Sequence, residues 1–388
     1  MRDIAMDDSE ELILANALLV LEDGVAKGSV HIRGGKILSV ETGNTAVAGA
    51  LDCEGDFLSP GLIELHTDNL ERHMQPRPGV HWPKMSAVIS HDAELASVGI
   101  TTVFDAMRIG SIVSDPQSRY LAYAREASRA LLDLRAAGAL RISHFLHLRA
   151  EACSETLEEE FAEFGPDDRV GLVSLMDHTP GQRQFQDETQ LRVYLSGKYG
   201  MGEAQMDQHL ANQRAIGDKF GPGHKALAVR RAQELGAILA SHDDTTAKHV
   251  AESADQNVRL AEFPTTVEAA EACRTHGIAV MMGAPNVVRG GSHSGNVAAL
   301  DLAGRDMLDI LSSDYVPGSL LAAACTVGEG WDNLARGIST VTSAPADAAA
   351  LEDRGRLVPG LRADLLRFRI IDGSPVTRGA WVRGARVA

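Results

Sequence analysis

A histidine and a carboxylate two residues apart, at the end of an apolar run, are the first feature of this chain that could do chemistry. Residues 61–68 read GLIELHTD, so the apolar segment runs straight into His66, Thr67 and Asp68. Side chains two apart on a strand share a face, which predicts that Glu64, His66 and Asp68 point the same way. The pattern recurs along the chain. LHLRAE presents His147, Arg149 and Glu151, MDH presents Asp177 and His178, and SHDD presents His242, Asp243 and Asp244. AEF carries Glu262 and SSD carries Asp314. Imidazoles and carboxylates gathered this densely cannot sit unpaired in an apolar core, because burying unpaired charge is costly. Divalent cations resolve that cost. Histidine with carboxylate suits zinc, and a carboxylate-rich set also admits manganese. Two such ions, the number these donors suggest, would activate water at neutral pH and clamp a phosphoryl or acyl oxygen. His147 and Glu64 read as supports rather than ligands.

Basic residues follow the same runs. Arg72 and Arg77 come after the first, Arg149 lies within the third, and Arg183 and Lys198 come after the fourth. The segment GAPNVVRGGSHSGN places Arg289, Ser292 and His293 in a Gly-rich loop. Backbone N–H groups and hydroxyls in such a loop suit an anion; a solvated surface loop is the plain alternative. The formal net charge of -16 argues against nucleic acid and anionic membranes as partners. A polyanionic substrate would need these local arginines, or bound cations, to overcome that field.

The elements that must position these residues are β-like runs alternating with helical ones. Candidate strands are 61–67, 100–105, 142–149, 170–176, 237–242, 258–263, 278–283 and 308–313. Helical runs follow most of them. DPQSRYLAYAREASRALLDLRAAG offers Asp115 as N-cap, Pro116 at the first helical position and Gly138 as a stop. Alternation on this scale predicts a (β/α)8 TIM barrel of parallel strands, whose strand C-termini form the active face; a large doubly wound sheet stays open. Both ends of the chain read as short strands broken by Asp-Gly or Gly-Gly. Neither end can bury a core alone, so residues 1–57 and 340–388 are expected to form one composite β-sandwich around a barrel of residues 58–339. Residues 179–224 exceed an ordinary βα connection. They read either as a lid or as a surface excursion, including a contact in a homo-oligomer. The four cysteines form no CxxC, which suits free thiols in a reducing compartment. The first residues lack a basic n-region and no run is long enough to span a bilayer. A cytoplasmic location is expected.

Taken together, the strands from both ends, PGLIELHTD, His242 after the fifth strand, Asp314 after the eighth and the closing GRLVPGLRADL resemble the amidohydrolase superfamily. That resemblance implies an amidohydrolase-like metal-dependent hydrolase. The chain departs from the usual pattern at three places. His66-Thr67-Asp68 stands where HxH is usual, Asp177-His178 where a carboxylated lysine is usual, and Glu262 where a sixth-strand histidine is usual. HTDNLERHMQPRPG, LMDHTPGQRQF, SHDDTT, AEFPTT, VRGGSHSGN and SSDYVP resemble a narrower group, the PhnM-type diphosphatases of the carbon–phosphorus lyase pathway. This implies hydrolysis of alpha-D-ribose 1-methylphosphonate 5-triphosphate to the 5-phosphate and pyrophosphate in phosphonate metabolism. It also implies metal ligation by His66, Asp68, Glu151, His178, His242 and Asp314, with Asp314 moving the proton. Arg72, Arg77, Arg149, Arg183, Lys198, Arg289, Ser292 and His293 become candidate contacts to the small phosphorylated substrate. The competing expectations are hydrolysis of a cyclic amide or N-acyl bond on the same scaffold, and a noncatalytic scaffold role.

Overall fold

The computed structural model describes residues 4–43, 48–114, 122–183, 191–192, 202–292 and 295–388. Strands from both ends of the chain share one hydrogen-bonded sheet. These are β1 (Glu11–Leu21), β2 (Gly24–Arg33), β3 (Lys36–Thr42), β4 (Leu51–Asp52) and β5 (Phe57–Pro60), with β14 (Leu365–Ile371), β15 (Ser374–Val382) and β16 (Ala385–Arg386). The order is β16-β15-β14-β5-β1-β2-β3, with β4 on β1. β14 runs antiparallel to β5, which joins the two ends of the chain. Gly34 and Gly35 turn β2 into β3 with φ of 54° and 76°. A two-residue hairpin needs that left-handed pair, and glycine adopts it without a Cβ clash. Leu14, Leu19, Val30, Leu58, Leu365 and Trp381 form this sheet's own core.

The second sheet is the nearly closed barrel. Its strands are β6 (Leu62–Thr67), β7 (Ile100–Ile109), β8 (Ser143–Glu151), β9 (Val170–Met176), β10 (Ile238–His242), β11 (Leu260–Glu262), β12 (Ala279–Gly283) and β13 (Ile310–Ser312). All neighbours pair in parallel and in chain order. The lumen is filled by Leu65, Phe104, Leu172, Leu260, Met281 and Ile310 among others. A Cβ on Gly171 would come within 2.4 Å of the Phe104 ring, so glycine is what lets that ring fill the lumen. Between β13 and β6 the ladder gives way to side chains. Glu64 accepts from the Ser312 hydroxyl at 2.7 Å and the Ser313 N–H at 2.6 Å, and Thr67 Oγ1 donates to the Asp314 carbonyl at 2.7 Å.

Two expectations change here. Register shifts in β6 break its alternation, and Glu64 turns into this seam rather than sharing the face of His66. The helix expected from Pro116 runs Ala124–Ala136, with Gly138 left-handed just beyond it; residues 115–121 lie outside those described. In the long insertion, helix Glu203–Leu235 packs on the barrel mouth beside β8 and β9. Its Gln213 carbonyl accepts from the Cys153 thiol at 3.3 Å, and His224 Nδ1 lies 3.1 Å from the Ala152 carbonyl. No helix among the described residues is long and apolar enough to cross a membrane.

Candidate metal centre

Glu262 ends β11 and points into the mouth of the barrel, where three histidines surround it. His66 Nδ1 and His242 Nδ1 lie 3.1 and 3.0 Å from its Oε2. His147 Nε2 lies 3.4 Å from its Oε1. Ser174 on β9 donates to Oε2 at 2.8 Å. The His66 and His242 rings stack with centroids 5.5 Å apart. His147 Nδ1–H donates to the Leu65 carbonyl at 2.9 Å, which fixes its tautomer and turns Nε2 inward. Burial lowers His66, and it lowers His147 to about 3. Burial alone would raise Glu262, but the surrounding imidazoles hold it well below the usual carboxylate range. An ionised Glu262, with burial disfavouring the charged forms of His66 and His147, suits metal ligation.

The donors fit a divalent cation. His66 Nδ1 and Glu262 Oε1 are buried without a hydrogen-bond partner among the described residues. Orphaned buried polar atoms are rare and cost about 1–3 kcal/mol each. Ligand atoms of His66, His242 and Glu262 lie within 4.8 Å of one another, and so do those of His178, His242 and Asp243. The two sets share His242.

His178 is oriented from behind. Its Nδ1 pairs with Glu151, whose other oxygen accepts from the N–H of Cys153 at 3.0 Å and of His178 at 3.1 Å. Burial opposes ionisation of Glu151, yet His178 holds it down at about 2. A carboxylate that fixes one imidazole nitrogen leaves the other free to ligate. Glu151, expected as a ligand, lies against His178 Nδ1 and belongs to neither set. Phe263 sets its ring edge against both His66 and His242, with centroids 5.0 and 5.5 Å away. Asp243, Phe263 and Asp314 follow their strands with φ of 56°, 56° and 54°. Left-handed non-glycine residues are uncommon and gather at functional sites.

Asp68 and Asp314 stand beside the cluster and belong to neither set. Backbone bonds tie them together: Asp68 N–H donates to the Asp314 carbonyl, and Asp314 N–H to the His66 carbonyl, each at 3.2 Å. Asp68 Oδ2 lies 3.9 Å from Arg149. Burial raises Asp68 to about 6. The other basic residues spread out. Arg183 is buried, donating to the His242 carbonyl at 3.0 Å and pairing with Asp244, so it braces the end of β10 rather than facing the bowl. Arg72 is exposed and pairs with Glu94 at 2.6 Å, and Arg77 is exposed in a loop. Arg289 ends the short helix Ala284–Arg289, capped by Gly290, with Ser292 just beyond. Lys198 and His293 lie outside the described residues. Glu262 and Asp243, which the structure gathers with His66, His178 and His242, were not among the ligands expected from the sequence; Glu262 stands where the resembled superfamily usually has a histidine.

No family model matches the chain. Solved structures share its fold. N-isopropylammelide isopropylaminohydrolase from Burkholderia multivorans ATCC 17616 aligns with a TM-score of 0.63 at 15% identity, covering 98% of each chain. 5-Methylcytosine deaminase from Klebsiella pneumoniae aligns at 0.61 and 16% identity, covering 97% of this chain and 98% of that one. The chain therefore shares the fold of these two proteins over nearly its whole length. Among curated proteins, alpha-D-ribose 1-methylphosphonate 5-triphosphate diphosphatase of Escherichia coli (strain K12) is 46% identical over 381 residues, 97% of this chain and 100% of the relative. The chain belongs to the family of that diphosphatase.

Proposed function

We propose that the protein hydrolyses alpha-D-ribose 1-methylphosphonate 5-triphosphate to the 5-phosphate and pyrophosphate. It is a hydrolase of phosphoric anhydride bonds in phosphonate breakdown. The observation that carries this reading is the full-length likeness to the E. coli diphosphatase, 46% over 97% of the chain. His66, His242 and Glu262 would hold one divalent cation, and His178, His242 and Asp243 a second; zinc suits this donor set and manganese is admitted. Bound there, such ions supply Lewis-acid polarisation of phosphoryl oxygens and a more acidic water. Asp314 orients the attacking water and takes up its proton, since its backbone ties it to both His66 and Asp68 at the strand ends. Arg149 offers a guanidinium to the triphosphate, where positioning and charge stabilisation dominate the chemistry. Phe263 and the packed lumen below keep bulk water from approaching from beneath. Four buried free cysteines support a cytoplasmic setting.

The test is a head-to-head assay of the purified, zinc-loaded protein. Stoichiometric pyrophosphate release from the ribose triphosphate is the expected result. Cleavage of a cyclic or N-acyl amide panel without pyrophosphate would reject this reading in favour of an amidohydrolase.

A further inference from the structure

Arg108 and Arg149 are register partners on β7 and β8. Phe104 lies in the lumen, and alternation from it puts Arg108 on the inner face at the mouth. His147 reaches Glu262, and the same rule puts Arg149 beside it. Directly opposed residues on neighbouring strands lie about 5 Å apart at Cβ, so the two side chains leave the wall from adjacent points. Both are held in place. The Arg108 N–H donates to the Tyr123 hydroxyl at 2.9 Å, that hydroxyl donates to Glu71, and an Arg108 Nη donates to the Gly110 carbonyl. Among the described residues Arg149 makes a long 3.9 Å pairing with Asp68, and its Nε is buried without a hydrogen-bond partner there. The charge of Arg149 acts on His66, His147 and His178, so it sits at the rim of the metal centre.

We propose that Arg108 and Arg149 form a paired-guanidinium clamp for the departing pyrophosphate. This rests on the diphosphatase reading above. A phosphorus held at His66, His242 and Glu262 carries its leaving group one P–O–P bridge away, and Arg149 is the cation adjoining that position. Paired guanidiniums match phosphate oxygens in bidentate geometry. Charge collects on the bridging oxygen as the P–O bond breaks, so the clamp acts most strongly in the transition state. Hydrolysis splits that bond with water supplying hydroxyl to the retained phosphorus, and pyrophosphate leaves without redox change. Asp68 and Glu71, on the same wall, balance the two arginines before substrate arrives.

The experiment titrates inorganic pyrophosphate into the zinc-loaded enzyme with free zinc in excess, by calorimetry and as inhibition of turnover. Arg108→Gln is expected to weaken pyrophosphate at least about tenfold, and Arg108→Lys, which keeps the charge and loses the fork, several-fold. Arg230→Ala, an exposed position paired with Glu234 near the far end of helix Glu203–Leu235, is expected to stay within about twofold of wild type for this probe. The clamp is overturned if wild type does not bind pyrophosphate, if Arg108→Gln, or Arg108→Lys should the former not fold, binds as wild type does, or if Arg230→Ala weakens it equally. A wild-type enzyme that binds pyrophosphate but releases none from the ribose triphosphate would instead defeat the functional reading.

Discussion

Glu262 receives two imidazoles on one oxygen and a third on the other, so removing its charge undoes the whole arrangement. Glu262→Gln should fold, lose most bound metal by elemental analysis, and lose activity by at least two orders of magnitude. Full metal occupancy in that variant would move the centre elsewhere. Asp314→Asn should do the opposite, retaining metal while kcat falls by orders of magnitude. Unchanged turnover would remove it from proton transfer. Arg289 is exposed at a helix end, so Arg289→Ala should chiefly raise KM. Kinetics like those of wild type would return that segment to the solvated surface. His66 and His242 were legible because each closes an apolar run in phase. Glu262 was not, because a lone acidic residue in AEFPTT looks the same whether it meets three imidazoles or solvent.

At the level of elements, a second buried network braces β6 to β8 from outside the barrel. Asp105 accepts from His91 Nε2 and His144 Nδ1, each at 2.7 Å, and His91 Nδ1 accepts from Asn69 at 3.0 Å. Asn69 directly follows Asp68, so this network also fixes how the chain leaves β6. Burial lowers His91. Burial opposes charge on His144 too, but Asp105 and Asp92 outweigh it and raise His144 to about 9. A folded-state value above the ordinary one of about 6.5 gives stability that is full below pH ~6.5 and is lost as pH rises through about 9. Thermal melts should therefore show a steeper fall from pH 7 to 10 in wild type than in His144→Asn. Parallel curves would show that the ring is neutral in the folded state.

Across the whole molecule, the acidic surface and the cationic centre oppose each other. The chain carries a net charge of -16, and the substrate proposed for it is a polyanion, so bound metal and the two arginines at the mouth would have to reverse the field locally. Dialysis against a chelator should abolish activity and lower the melting temperature, and zinc should restore both. Metal at 100 times its Kd adds about 2.7 kcal/mol to the folded state. A melting temperature indifferent to metal would mean that the ions are not held by the strand ends. The rhythm of strands and helices, the joining of the two chain ends in one sheet and the end of the barrel that carries chemistry were all set by the sequence. Periodicity, turn residues and phase are local properties, and each is written within a few neighbouring positions. Only the tertiary structure decided that Glu262 is the hub, that Glu151 supports His178, that Glu64 closes the seam and that Arg183 turns to Asp244. Those outcomes depend on register between strands far apart in the chain and on the irregular pairing of β6, which no local pattern of residues encodes.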